Sequence, residues 1–310
     1  RRSAVIAARG CVGDLDKKIA SYLLEKQPGD SLLSTRELAE LYQVSIGSIS
    51  ASLNYLEESG AIKLIRRGRL GTVLEKRVVT TLWRHVSNWP MVIALTLPSY
   101  PKCEGLATAI YSLLNSAGIE TYLIFIRGSY NRLKALKSGL CNAIVISMLS
   151  ADELSSTDEE VLMHLPPGTF VTDHRVLLRR SRTESESPLV VGVDYDSYDI
   201  TYLTELEFSG GNVQFVPIPY TQTDMNFGKS AVDAVLSNAD HLNHLDSRDF
   251  VTRPLSPHVQ SIMGDRDTSA ALLIRRTDRA TAAVLREYLD IAQILEIQQK
   301  VVDGLMIPRY

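Results

Sequence analysis

Apolar residues recur at helical spacing through the first sixty positions and then alternate. In DLDKKIASYLLEK, Leu15, Ile19, Tyr22 and Leu23 fall on one face, which predicts an amphipathic helix. Pro28, Gly29 and Asp30 break it. STRELAELY predicts a second helix: Ser34 and Glu37 stand at capping-box spacing, and Leu38, Leu41 and Tyr42 make its apolar stripe. After the short turn QVS, Ser45 is the expected N-cap of a third helix. Ile49, Leu53 and Leu56 take its core side, while Ile46, Gly47, Ser50, Ala51 and Asn54 fall on or beside the opposite one. Glu58, Ser59 and Gly60 end it. AIKLIRRGRLGTVL then alternates as a hairpin turning at Arg67, Gly68 and Arg69.

Three helices and a basic hairpin make a winged helix-turn-helix, in which the second helix of the pair enters the major groove of DNA. Charge bears on that reading in two ways. The chain of 310 residues carries a net −3, which by itself argues against a nucleic-acid partner. Residues 1–90, however, hold 14 Lys+Arg against 9 Asp+Glu, a net +5, and the rest hold 19 against 27, a net −8. A basic head on an acidic body fits a DNA-reading module joined to something else. The first turn of the reading helix has no cation, so phosphate contacts fall to its neighbours. These are Arg36 on the preceding helix and Lys63, Arg66, Arg67 and Arg69 on the wing, with Lys76 and Arg77 beyond. The helix itself offers small groups. Gly47 lets the backbone approach, Asn54 suits an adenine edge, and Ile46 or Ala51 a thymine methyl. Ser45, Ser48 and Ser50 on the helix and Thr72 on the wing complete the candidate DNA-binding set. The alternative for the head is a protein–protein module without DNA.

Over residues 33–74 the chain resembles the DNA-binding domain of GntR-type transcription regulators. The family pattern runs Ser-x-Arg-Glu-Leu-Ala, then Val-Ser-Arg-Gly-Thr-Val-Arg, then Leu-x-x-x-Gly and a Gly-Thr wing. It is matched by Ser34, Arg36, Glu37, Leu38, Ala39, Val44, Ser45, Gly47, Leu56, Gly60, Gly71 and Thr72. The resemblance implies a homodimer on near-palindromic double-stranded DNA. Ile46 and Ser50 stand where the family has arginines. Base preference is therefore expected to differ from the usual family operator, and two lost contacts of about 1–3 kcal/mol each weaken affinity.

Beyond Pro90 short β-rich apolar runs alternate with amphipathic segments, an α/β pattern. MVIALTL, ETYLIFI, NAIVIS, TFVTD and HRVLLRR read as strands, with helices at GLATAIYSLLNSAG and NRLKALKSG. The polar stretch SRTESES separates a second round: strand PLVVGVD, helix SYDITYLTELEF, strand NVQFVPI and helix KSAVDAVLSN. SAALLIR is a late strand, and residues 277–302 a long helix or helix pair with Leu285, Leu289, Ala292 and Leu295 on one face, expected to cover its own lobe. The expected fold class is α/β: an N-terminal winged helix-turn-helix over residues 1–77, a linker over 78–90, and a two-lobed α/β ligand-sensing domain over 91–310. Lobe I takes about 91–180 and 265–310, lobe II about 185–262, with the crossings near Ser181 and residues 254–257. The strand–helix order in each lobe is similar to type 2 periplasmic-binding-protein-like domains, and the combination with this head resembles YhfZ-type regulators. That resemblance implies a DNA-binding transcription regulator whose affinity is modulated by a small-molecule effector.

Ligands of open α/β lobes bind beyond the carboxyl ends of strands and at helix N-termini. The rule selects Ser99 and Tyr100 after the first strand, Ser129, Tyr130 and Asn131 after the second, and Ser147 at the end of NAIVIS. In the second lobe it selects Asp194, Ser197, Tyr198, Tyr220 and Asn238. Such groups suit a small polar or carboxylate-bearing ligand, although turns and caps also favour them. An enzyme of transferase type in the cleft is the second reading. No P-loop, GxGxxG after a strand, GxSxG or paired CxxC supports it. Asp194 and Asp196 alternate along a strand end and are expected on opposite faces, a poor acid–base pair. His241 and His244, with Asp240 and Asp246 near, lack the further ligands a metal site needs, so no metal or cofactor is expected. Cys11, Cys103 and Cys141 are odd in number and widely spaced, which suits reduced, buried thiols in a cytoplasm. No apolar run approaches the roughly 20 residues of a membrane span, so no membrane partner is expected.

Overall fold

The computed structural model describes residues 13–87, 90–180, 188–219, 232–242 and 250–310. The chain divides into two compact units. The first takes the chain as far as Met91 together with residues 114–120 and 278–288, and the second takes the rest.

In the first unit, helices α1 (Asp14–Leu24), α2 (Thr35–Tyr42) and α3 (Ile46–Glu58) pack beside an antiparallel sheet. Its strands β1 (Ser31–Leu32), β2 (Ile62–Arg66) and β3 (Thr72–Arg77) lie in the order β1-β3-β2. The capping box starts α2 as its spacing requires: Glu37 N donates to the Ser34 hydroxyl and Ser34 N to the Glu37 carboxylate. The Ser45 hydroxyl accepts from Ser48 N to start α3. Gln43 turns the chain between them in the left-handed region, at φ 54°. Ile19, Leu23, Leu38, Ile49, Leu56 and Leu74 are fully buried and form the core. The segment 78–90, expected as a linker, is instead mostly helix α4 (Val79–Val86). Val79, Leu82 and Trp83 are buried, and the helix packs on α1. Its apolar side is covered, which a linker would leave in water. Trp89 lies outside the described residues.

A helix from the far end of the chain completes this unit. α11 (Arg279–Tyr288) buries Ala280, Val284 and Leu285 and packs on α1 and α4. Arg77, its side chain almost fully buried, donates to Leu24 O, to Gln27 and to the Glu287 carboxylate at 2.9 Å. Arg279 reaches Glu25. Residues 278–288 therefore do not belong to the first lobe as expected from sequence.

The second unit holds two five-stranded sheets. The first has the order β5-β4-β6-β13-β7, from β4 (Met91–Leu95), β5 (Thr121–Phe125), β6 (Ala143–Ser147), β7 (Glu159–His164) and β13 (Ala270–Arg275). β4 and β6 are parallel, and β13 runs antiparallel to both β6 and β7. α6 (Ser129–Lys137) and α7 (Met148–Leu154) pack against it, with Leu133, Leu136, Ile144, Ile146 and Leu273 in the shared core. The second sheet has the order β10-β9-β11-β8-β12, from β8 (His174–Arg179), β9 (Leu189–Val193), β10 (Val213–Pro217), β11 (Ala234–Asn238) and β12 (Phe250–Pro254). α8 (Tyr198–Glu207) and α10 (Pro257–Met263) cover one face over Val176, Val191, Leu203, Val259 and Met263. Ile218, Val232, Val235 and Phe250 fill the other. The short α9 (Ala239–Leu242) follows β11, and α5 (Pro101–Ser116) and α12 (Ile291–Val302) are the remaining helices described.

Several expectations change. β8 pairs with β11 and β12, so His174–Arg179 belong to the second sheet and not to the first lobe. The crossings run through residues 165–173 and 264–269; Ser181 lies outside the described residues. AVLSN, expected as part of a helix, is strand β11: it is sandwiched between β9 and β8 and buried on both faces, so its apolar run has no period to read. TFVTD is not a strand. The terminal segment is two helices, and Ala292 is exposed. No helix among the described residues is long and apolar enough to cross a membrane.

Candidate DNA interface and ligand cleft

The outer side of α3 is open. Ser45, Ile46, Gly47, Ser48 and Asn54 are exposed and Ser50 half-buried, its hydroxyl donating to Ile46 O, while Ile49, Leu53 and Leu56 are buried beneath. The wing cations flank this face but do not stand free of it. Arg66 donates to Asn54 Oδ1 at 3.1 Å and to Glu57 Oε2 at 2.5 Å, joining β2 to α3. Lys63 pairs with Glu75 across the hairpin at 2.8 Å, and Arg36 with Glu40 one helical turn on. Arg67 and Arg69 are exposed at the wing turn, on either side of Gly68, and make no ion pair among the described residues. Thr72 begins β3, opposite Arg66. The sequence pointed to the cations and not to Glu57 and Glu75, which neutralise two of them; plain alternation sets Lys76 opposite Lys63, and Glu75 is the extra residue at a register shift in the hairpin.

In the second unit the loops after β5 and β9 meet across the cleft between the lobes. Arg127, the second residue beyond β5, donates Nη1 to both carboxylate oxygens of Asp194 at 2.6 Å and Nη2 to Asp196. The hydrogen bond to Asp194, ahead of the nearby charges, holds the Arg127 pKa above its ordinary value against desolvation. The two aspartates therefore converge on one cation. The strand alternation expected to part them does not apply, because β9 has ended at Val193. Tyr198 N donates to the Ser129 hydroxyl at 2.9 Å, and Tyr130 N to Asp196 O. The rings of Tyr130 and Tyr198 meet edge to face. Gly128 sits at φ 81°, and a Cβ there would lie 2.3 Å from Asp196 O, so only glycine allows this approach. Behind this latch is a cavity of about 50 Å³, which has room for a few waters and not for a drug-sized ligand. Tyr100, Ser197 and Asn238 line it among the expected residues, together with Arg132, His174 and Asp199, which strand-end reasoning passed over.

The other expected positions serve elsewhere. Ser147 caps α7, accepting from Ser150 N. Asn131 donates back to Arg127 O. Ser99 hydrogen-bonds His241 Nε2 at 2.8 Å, and the Tyr100 ring packs on the same imidazole. Asp240 accepts from Thr172. Tyr220, His244 and Asp246 lie outside the described residues. His174 Nδ1 meets Asp267 Oδ2 at 2.8 Å, a buried pair that joins the start of β8 to the second crossing.

Comparison with known proteins agrees with both halves. Residues 27–74 match a family described as a helix-turn-helix domain, and residues 79–310 match the YhfZ C-terminal domain. The uncharacterized protein YhfZ of Escherichia coli (strain K12) is 32% identical over 293 residues, which is 94% of this chain and 95% of that protein. The crystal structure of YhfZ from Shigella flexneri superposes with a TM-score of 0.60 at 30% identity, covering 75% of this chain and 98% of that one. The periplasmic aliphatic sulphonate binding protein SsuA from Escherichia coli superposes at 0.52 with 12% identity, over 71% of this chain and 76% of that one, a likeness of two-lobed fold alone. With a helix-turn-helix head and the family's C-terminal domain over the rest of its length, the chain belongs to the YhfZ family.

Proposed function

We propose that the protein is a sequence-specific DNA-binding transcription regulator with a GntR-like winged head, whose DNA affinity changes when a small polar molecule binds between the two lobes. The observation that carries this reading is the head's surface: an open α3 face flanked by the wing arginines. α3 reads bases in the major groove through Ile46, Gly47, Ser48, Ser50 and Asn54. Arg36, Lys63, Arg66, Arg67 and Arg69, with Ser45 and Thr72, hold the phosphates. The head is built mainly from residues 1–77, with α4 and α11 packed on it, and the sensing body takes the rest of residues 91–310. The protein acts in the cytoplasm as a homodimer on two half-sites about one helical turn apart. The effector enters where Arg127, Asp194 and Asp196 now close the lobes, and is held by groups such as Tyr100, Ser197 and Asn238. It shifts the DNA equilibrium only by its different affinity for the open and closed lobes, typically about 1–3 kcal/mol of coupling.

Repeated selection of a randomised duplex pool by the purified protein tests the reading. Enrichment of one near-palindromic motif is expected. A pool that is retained but stays random, or that is never retained at low salt, contradicts it.

A further inference from the structure

The wing ends on an apolar side chain set among cations. A single 3₁₀ turn, Gly68–Leu70, joins β2 to β3. Arg67 N donates to Gly71 O at 2.8 Å, Leu70 N to Arg67 O and Gly71 N to Gly68 O, which closes the tip. Gly68 and Gly71 make the bend at φ 58° and 87°. Leu70 is 82% exposed, more than any other large apolar side chain described in the first unit. Arg66, Arg67 and Arg69 are exposed beside it. A lone exposed leucine needs no explanation on an ordinary surface. This one is held at the end of a hairpin by three backbone hydrogen bonds, in the most basic stretch of the head.

Whatever covers Leu70 must also meet its arginines. An apolar protein surface would desolvate Arg67 and Arg69, which make no ion pair among the described residues, and give them nothing in return. The minor groove of DNA offers both surfaces at once. Phosphates along its two edges meet the cations, and sugars and stacked bases within it meet an apolar group. The groove is about 6 Å wide, which suits a hairpin tip better than a helix. The wing is also tied to the reading helix. Arg66, at the foot of the turn, bonds Asn54 and Glu57 on α3, so a helix seated in the major groove carries the tip beside it.

We propose that Leu70 is an apolar wedge, which enters the minor groove beside the α3 contact and inserts at a base step, unstacking it and kinking the duplex. The proposal rests on the reading of the head as a DNA-binding module, and adds to it a bend and a second source of sequence preference. Pyrimidine–purine steps unstack most easily, so Leu70 favours a TA or CA step at a fixed distance outside the bases that α3 touches. Arg67 and Arg69 hold the phosphates on either side of the entry point.

The test uses the full chain and a duplex of about 30 base pairs carrying the motif enriched from a randomised pool. A fluorescent adenine analogue that brightens when unstacked is placed in turn along the motif and its flanks, and energy transfer between dyes on the two ends reports the bend. Binding of the parent protein is expected to brighten one step in each half-site and to bend the duplex by at least about 20°. Leu70→Ala changes a side chain outside the core and is expected to fold. It should lose the brightening and the bend and bind roughly threefold to tenfold more weakly, with the parent's dependence on salt because no cation is lost. Leu70→Met, apolar and of similar reach, should restore both signals. A duplex bound without brightening or bending, or signals that Leu70→Ala leaves unchanged, overturns the wedge and leaves the DNA reading standing. Failure of the parent protein to bind any duplex at low salt overturns both.

Discussion

Arg66 on the wing hydrogen-bonds Oδ1 of Asn54 on α3 at 3.1 Å, so the side chain best suited to an adenine edge is held by the wing. An asparagine reads adenine with its amide as both donor and acceptor. Here the acceptor is already engaged, and Arg66 must share or release it when a base arrives. Arg66→Ala is therefore expected to relax base preference as well as to weaken binding, unlike a simple phosphate contact. Asn54→Ala should relax preference too. In a double-mutant cycle on a selected operator the two losses should fall short of additive by about 1 kcal/mol, and full additivity would separate the wing from base reading.

Glu57 and Glu75 hold back two of the wing's charges. Glu57→Gln with Glu75→Gln releases Arg66 and Lys63 to phosphate. Binding to random duplex should tighten, and the slope of log affinity against log salt should steepen by about one unit for each cation released. Arg67→Ala or Arg69→Ala should flatten the same slope by about one unit. A salt titration by fluorescence anisotropy measures all four.

Gly128 lets the lobes meet. Gly128→Ala places a methyl group 2.3 Å from Asp196 O at a positive φ, and the closed arrangement cannot accommodate both. Stability should fall by about 1–3 kcal/mol in urea titration. With Arg127→Ala it should fall by at least as much, because that change leaves the buried Asp194 carboxylate without its cation. Small-angle scattering should give a larger radius for Gly128→Ala than for the parent. Identical scattering would mean that the latch does not set the closure.

His85 makes the first unit sensitive to mild acid. Burial pushes its imidazole below the ordinary 6.5, with Asp16 pulling the other way, and its Nε2 meets the Ser59 hydroxyl at 3.0 Å. The unfolded chain then binds the proton more readily than the folded one. Stability present above 6.5 is lost as pH falls from there toward the folded value. His85→Gln should unfold with a shallower pH dependence as pH falls below 6.5.

Cys103 and Cys141 are buried, and burial raises their thiols to about 12 and about 11. Neither is expected to react with a thiol reagent in the folded protein at neutral pH, and both should react on unfolding. Rapid labelling of either in native conditions, read by peptide mass, would place it in an open site.

The head was legible because its signals are local. Ser34 with Glu37, Ser45 with Ser48, and the alternation through residues 61–74 each fix a helix start or a hairpin from within a few residues. The body was legible where a strand or helix keeps its period, and misread where burial removes it, as at Ala234–Asn238, whose residues face cover on both sides. The helix at Val79–Val86 was lost to its position between two domains. The strand-end rule found Tyr100, Ser197, Asn238 and Asp194, but not Arg127, although Arg127 follows a strand end as Asp194 does. Arg132 and Asp199 lie one turn or less inside helices, where only the meeting of the two lobes makes them neighbours of one cavity. Nor did the sequence show that residues 278–288 pack on α1, since Arg77 and Glu287 are separated by most of the chain.

The most direct test of the regulatory account is anisotropy of the purified protein on labelled DNA from its own upstream region, with random duplex as control, across a salt series. The expected result is tighter binding to the upstream DNA than to random duplex, with affinity that falls steeply as salt rises. Absence of binding to either DNA at low salt would contradict it, and would make the head a protein–protein module.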